Sequence, residues 1–252
     1  MSEVSAFKPR QLSATELHAK PSADYAAKLA ETQALLQRAA AEFQPITQAS
    51  SLGAEDVVIT HLINALALDI PVFVLETGRL HTETLALLER TEAHSRAPIE
   101  VYRPQHETVI EFVREQGQDS IYQSIALRKA CCQIRKMEPL TRALAGKKAW
   151  ITGLRREQSN ARAEVPLIDL SELATKGLTK FNPLANWSWG DVWHYIAENQ
   201  VDYNPLHDQF FPSIGCAPCT RAISLGEEFR AGRWWWEDEA AKECGLHVKS
   251  AA

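Results

Sequence analysis

The chain has 252 residues, 45% hydrophobic and 23% charged, which is ordinary globular composition with enough length for one full core. No run of about eighteen apolar residues occurs, and residues 1–20 mix acids and bases without an apolar leader core, so a cytoplasmic protein is expected, with no membrane partner. A net charge of −5 argues against a nucleic-acid partner, so any anion site must be locally concentrated.

Along the chain, apolar and alanine positions recur at helical spacing from Asp24 to Phe43, with Ser22 as a plausible cap and Pro45 beyond the end. Ile46–Ala49 reads as a short strand, residues 50–55 as a turn, and Asp56–Leu68 as a helix with Val58, Ile59, Leu62, Ile63 and Leu66 on one face. Pro71–Leu75 is a nearly continuous apolar strand, and a helix from His81 to Glu92 follows. Ile99–Tyr102 and Ala149–Thr152 are further strands, separated by a helical stretch. Ser188–Glu198 is a helix with Ser188 as its cap. This alternation predicts an α/β fold, doubly wound around a mostly parallel sheet. From Phe210 onward periodic signals are few.

Four features carry chemistry. The loop Ser51-Leu52-Gly53-Ala54-Glu55-Asp56 sits between strand and helix, where small residues let backbone N–H groups approach an anion. It is neither GxGxxG nor a Walker loop, and it lacks the lysine of a P-loop NTPase. Cys131-Cys132 and Cys216-Ala217-Pro218-Cys219 supply four soft ligands, which suit either a [4Fe–4S] cluster or tetrahedral zinc. Cys244 is left over, close to the C-terminus, and a leftover thiol is a candidate nucleophile. Finally, Lys136, Arg155, Arg156, Arg230 and Arg233, with Trp234-Trp235-Trp236, offer forks and charges for phosphate or sulfate oxygens. His61, His81, His194 and His207 form no compact metal motif and receive no catalytic role.

Several segments together resemble the assimilatory sulfonucleotide reductase family, in its iron–sulfur, adenylyl-sulfate-using branch. They are Leu75-Glu76-Thr77-Gly78, Lys129-Ala130-Cys131-Cys132 followed by Ile134-Arg135-Lys136, Gly153-Leu154-Arg155-Arg156-Glu157-Gln158-Ser159, the Cys216–Cys219 motif, Gly232-Arg233-Trp234-Trp235-Trp236, and Cys244-Gly245-Leu246-His247. The resemblance implies a fold of the adenine nucleotide alpha hydrolase-like, PP-loop type. It also implies a [4Fe–4S] cluster on Cys131, Cys132, Cys216 and Cys219, and Cys244 as nucleophile with Lys136 assisting. The Ser51–Asp56 loop resembles a modified PP-loop in which a second glycine and the final serine are absent, which speaks against ATP hydrolysis.

The expected substrate contacts are Ser51, Gly53, Asp56, Arg155, Arg156, Arg230, Arg233 and His247, with adenine near Thr77 and Gly78 at the carboxyl end of a central strand. The implied reaction is attack of Cys244 on the sulfonate sulfur of adenosine 5′-phosphosulfate (APS), loss of AMP, and release of sulfite by thioredoxin or glutaredoxin. In that scheme the cluster acts through its field. Three other readings stand beside it: reduction of the 3′-phosphorylated nucleotide (PAPS), a non-catalytic metal-binding module that docks thioredoxin, and an ATP-consuming PP-loop enzyme. The expected organisation is an N-terminal arm at 1–22, an α/β domain at 23–236 and a mobile catalytic tail at 237–252. The reading admits a homo-oligomer.

Overall fold

The computed structural model describes residues 12–238. Helix α1 (Ala14–His18) starts at a capping box in which Ser13 and Glu16 satisfy each other's backbone N–H groups. It does not stand apart from the domain, because Ala14 is fully buried in the main core and its N–H donates to Asp208 at 2.7 Å. Helix α2 (Tyr25–Glu42) begins at Asp24, not Ser22. Ser22 instead donates both its N–H and its hydroxyl to the Asp191 carboxylate.

The alternation then runs β1 (Ile46–Ser50), α3 (Ala54–Ala65), β2 (Val72–Leu75), α4 (Thr82–His94), β3 (Ile99–Tyr102) and α5 (His106–Gln116). Two short helices, α6 (Ile125–Cys132) and α7 (Glu138–Leu144), flank a π-helical turn at Gln133–Met137 before β4 (Ala149–Ile151). Helix α3 begins two residues earlier than its apolar spacing suggests, because the acids Glu55 and Asp56 occupy its first turn, where the helix dipole favours them. Strands β5 (Ile168–Asp169) and β6 (Thr179–Phe181), with α8 (Leu173–Lys176) between them, have no counterpart in the sequence reading. They are two and three residues long, too short to carry a period. Helix α9 (Trp189–Asn199) starts at Ser188 as expected, again through a capping box, here with Asp191.

The six strands form one sheet in the order β3-β2-β1-β4-β6-β5, parallel except for the antiparallel edge pair β5–β6. Buried residues of α2, α3, α4 and α9 join β1, β2 and β4 in one large core. On the other face α7 packs through Leu140 and Ala143 against Phe73 and Trp150. The fold is therefore α/β and doubly wound. Because connections leave β1 and β4 in opposite directions along the sheet, their carboxyl ends open a crevice, the usual ligand position in such sheets.

Candidate active site

A cleft occupies that crevice, walled on one side by Ser50, Ser51, Gly53, Glu55 and Asp56 after β1 and on the other by Thr152, Gly153, Leu154 and Gln158 after β4. Leu52 takes φ 60°, the left-handed conformation ordinarily left to glycine, and its side chain is buried beneath the loop. Gly153 faces the start of α3, and a Cβ there would strike the carboxylate of Asp56 and the Cβ of Glu55. Only glycine lets the two loops approach so closely.

The Asp56 carboxylate accepts from the Ser51 N–H at 2.7 Å and the Ser51 hydroxyl at 2.6 Å. Burial pushes its pKa up to about 6, and the Glu55 charge adds to the rise, while hydrogen bonds from Ser51 and Gly153 pull the other way. Glu55 is also buried, but the Arg155 guanidinium and the Gln158 amide outweigh desolvation and hold its carboxyl below the usual range. Arg155 Nε donates to Glu55 at 2.9 Å, and Gln158 Nε2 donates to the same oxygen at 3.0 Å. Arg162 continues the chain by donating to Gln158 Oε1 at 2.6 Å. Arg155 thus acts from behind the wall, stacked over Trp189, while Gln158 and Arg162 present themselves to the cleft.

Four cations, Lys136, Arg162, Arg230 and Arg233, line the cleft. Lys136 lies on the π-helical turn that directly follows Cys132, a device that re-aims side chains within a helix. Arg233 is 7% exposed, lies over the Trp234 ring and rests where Gly215 leaves room, since a Cβ there would collide with the guanidinium. Its Nε has no hydrogen-bond partner among the described residues.

The four cysteines of the two motifs meet around Ile121 and Trp234, and none forms a disulfide. Burial raises the Cys219 thiol to about 12 and raises Cys131 as well, with the neighbouring Cys216 adding to both, against Arg233 and Lys136 at Cys219 and Arg135 at Cys131. Donors surround the sulfurs: the Thr77 hydroxyl is 3.3 Å from Cys216 Sγ, Arg128 hydrogen-bonds Cys132, and Arg135 hydrogen-bonds Cys131. Four converging thiols with cationic and hydroxyl donors fit a thiolate-bound metal group. Among the described residues, no three His, Cys, Asp or Glu side chains close on a point that could hold a single metal ion.

The structure thus brings Ser51, Gly53, Asp56, Lys136, Arg230 and Arg233 to one cleft. Arg156 is not brought there: it is exposed, donating to the Val165 carbonyl and to Asn186. Thr77 and Gly78 are not in the cleft wall either. Thr77 is fully buried beside Cys216, its carbonyl accepts from Arg135, and Gly78 (φ 71°) packs on the same guanidinium. Cys244 and His247 lie outside the described residues. Sequence reasoning passed over Gln158, Arg162 and His207 as site residues. Gln158 belongs to the Gly153–Ser159 segment and Arg162 lies three residues beyond it, whereas nothing in the sequence around His207 marks it.

Comparison with known proteins agrees with this arrangement. The family model for the phosphoadenosine phosphosulfate reductase domain matches residues 45–222, which span the loop, the cleft walls and both cysteine motifs. The adenosine 5′-phosphosulfate reductase of Allochromatium vinosum is 53% identical over 86% of this chain and 84% of its own length. That of Neisseria meningitidis serogroup B is 46% identical over 97% and 99%. Among solved structures, a Candida auris phosphoadenylyl-sulfate reductase in a phosphate complex superposes with a TM-score of 0.64 and 29% identity, covering 76% of this chain and 90% of its own. A Candida glabrata FMN adenylyltransferase (TM-score 0.57, 12% identity, 95% and 82% covered) shares the fold alone. The matched span covers most of the chain, the curated relatives cover most or nearly all of it, and the solved reductase shares its fold, so the chain belongs to the phosphoadenosine phosphosulfate reductase domain family.

Proposed function

We propose that the chain reduces adenosine 5′-phosphosulfate to sulfite and AMP, with a thioredoxin-type dithiol as electron donor and Cys244 as nucleophile. The observation that carries this reading is the cationic lining of the cleft. Lys136 and Arg233 act on the Cys219 thiol and line the cleft together with Arg230, and a sulfonate carrying negative charge needs such offsetting before an anionic thiolate can approach. The names of the relatives support the choice of the nucleotide lacking a 3′-phosphate.

In the first step the Cys244 thiolate attacks the sulfonate sulfur, the sulfur–oxygen bond to the phosphate breaks, and AMP leaves with that electron pair. In the second, a donor thiolate attacks Cys244 Sγ, and sulfite leaves with the electrons of the sulfur–sulfur bond as a mixed disulfide forms. The donor's second thiol then resolves that disulfide. Sulfur gains two electrons and the dithiol is oxidised to a disulfide, so the balance closes without another reductant. Lys136, Arg230 and Arg233 act on charge: they hold the phosphate and sulfonate oxygens and stabilise the negative charge that develops on the departing phosphate.

Cys131, Cys132, Cys216 and Cys219 would hold a [4Fe–4S] cluster, a group that takes four thiolate ligands. Bound there, it supplies a fixed local field beside the cations.

The test is trapping. Incubated with labelled APS and no donor, the anaerobically prepared protein is expected to carry sulfonate on Cys244, read by mass spectrometry, and Cys244→Ser is expected to carry none. Label on another residue, or sulfite release by the Ser variant, overturns the nucleophile. Turnover of PAPS in preference to APS in a side-by-side assay would reassign the substrate.

A further inference from the structure

His207 takes no part in the chemistry proposed above, yet the fold builds it into the cleft. It lies in the 3₁₀ turn Pro205–Gln209, which Asn204 caps by accepting from the Leu206 N–H while donating to Thr84 at 2.8 Å. The ring is set edge-on between two indoles, 5.2 Å from Trp193 and 6.1 Å from Trp189. It is 6% exposed and lines the cleft shared with Glu55, Gln158 and Phe229. Neither ring nitrogen has a hydrogen-bond partner among the described residues, although the Phe211 backbone comes near without adequate geometry. A buried polar atom left unpaired forfeits its hydration, and on a cleft wall a ligand can make good that loss.

The surroundings select which part of a ligand. Burial pushes the imidazole down to about 4, so near pH 7 it presents one N–H donor and one acceptor lone pair without charge. Such a ring does not grip a polyanion. The charged neighbours acting on it are Glu55, Asp208 and His18, whereas Arg233 and Lys136 act on Cys219. The same cleft therefore offers a ligand two kinds of contact: the cations Lys136, Arg230 and Arg233 for its oxyanions, and His207 as an uncharged hydrogen-bonding ring.

We propose that His207 is a specificity-determining residue that hydrogen-bonds the nucleoside end of the bound nucleotide, at a ribose hydroxyl or at the N1/6-amino edge of adenine. The assignment rests on the sulfonucleotide reading above and adds to it the residue that recognises the nucleoside.

The experiment measures AMP binding to the full chain by calorimetry, which needs neither Cys244 nor turnover. His207→Phe keeps the ring between the two indoles and removes both nitrogens. Its AMP dissociation constant is expected to rise roughly tenfold, the size of one lost hydrogen bond. 2′-Deoxy-AMP, 3′-deoxy-AMP and IMP separate ribose from base: the analogue lacking the contacted group should bind the wild type more weakly than AMP does, and should lose nothing further in the variant. His207→Leu serves the same cycle should the Phe variant fail to fold. Unchanged AMP affinity overturns the proposal, and so does an equal loss for AMP and all three analogues, which marks a merely structural ring. A wild type that binds no AMP and releases no sulfite from APS sinks the functional reading instead, so the two failures are distinguishable.

Discussion

Asp56 shows how a single carboxylate can be both a loop fastener and a source of strain. Its oxygens satisfy the Ser51 N–H and hydroxyl, yet desolvation and the adjacent Glu55 lift its pKa to about 6, well above its ordinary value of 3.8. A folded-state pKa raised in this way means that the native protein binds the proton more tightly than the unfolded chain does. The contribution is then fully present below about pH 4 and lost as pH rises through 6. Asp56→Asn keeps an acceptor for the Ser51 N–H but cannot ionise. Denaturant unfolding from pH 4 to pH 8 should therefore show the Asn variant gaining stability relative to wild type across that window, with the difference flat above about pH 7. Parallel curves would mean that Asp56 titrates as an ordinary carboxylate.

Among the elements, α9 is the one whose start the sequence states most fully, and its cap does more than close a helix. Asp191 accepts from the Ser188 N–H within the capping box, from both donors of Ser22, and from Lys28 Nζ at 3.2 Å, so it ties α9 to the segment before α2. Desolvation works against its charge, but these hydrogen bonds win and lower its pKa to about 2. The stability it adds is therefore present above its ordinary value of 3.8 and lost as pH falls through 2. Asp191→Ala leaves three N–H or O–H donors without that acceptor and Lys28 with Asp24 and the Ser22 hydroxyl alone, and a loss of roughly 3 kcal/mol in denaturant unfolding at pH 7 is expected. A loss of only a few tenths would mean that solvent replaces the carboxylate. The same residue shows where sequence reading stops. Ser188 was legible as a cap because its partner lies three residues away, whereas Ser22 was misread as the cap of α2 because its true partner, Asp191, lies far along the chain. The continuous apolar run 71–75 and the periodic helices were legible for the local reason. The edge strand Ile168–Asp169 was not, and neither was the course of Arg156, whose partners come from Val165 and Asn186. His207 was invisible for the opposite reason: its significance lies in partners it lacks.

At the scale of the whole molecule the protein divides into a sheet core that holds itself together and a cysteine-bearing side that leans on it. The large core draws on β1, β2, β4, α2, α3, α4 and α9, with no contribution from residues 210–238. That later segment contributes no strand to the sheet. It is fastened through Cys219 and Trp234 against Ile121, through an isolated bridge between Thr220 and Arg233, and through Glu237, which pairs with buried Arg128 at 2.6 Å. Cys131 and Cys132 end α6 while Cys216 and Cys219 belong to this segment, so a metal group held by all four would stitch the two sides together. Where binding energy closes a site, it becomes folding energy for the parts it joins. If the four thiols hold iron as proposed, stripping it anaerobically should therefore speed amide hydrogen exchange in residues 120–135 and 210–238, while amides of β1, β2 and β4 stay as protected as before. Exchange that rises uniformly through the sheet would show the metal group to be part of one cooperative core, and exchange that does not change anywhere would show the four thiols to be held by packing alone.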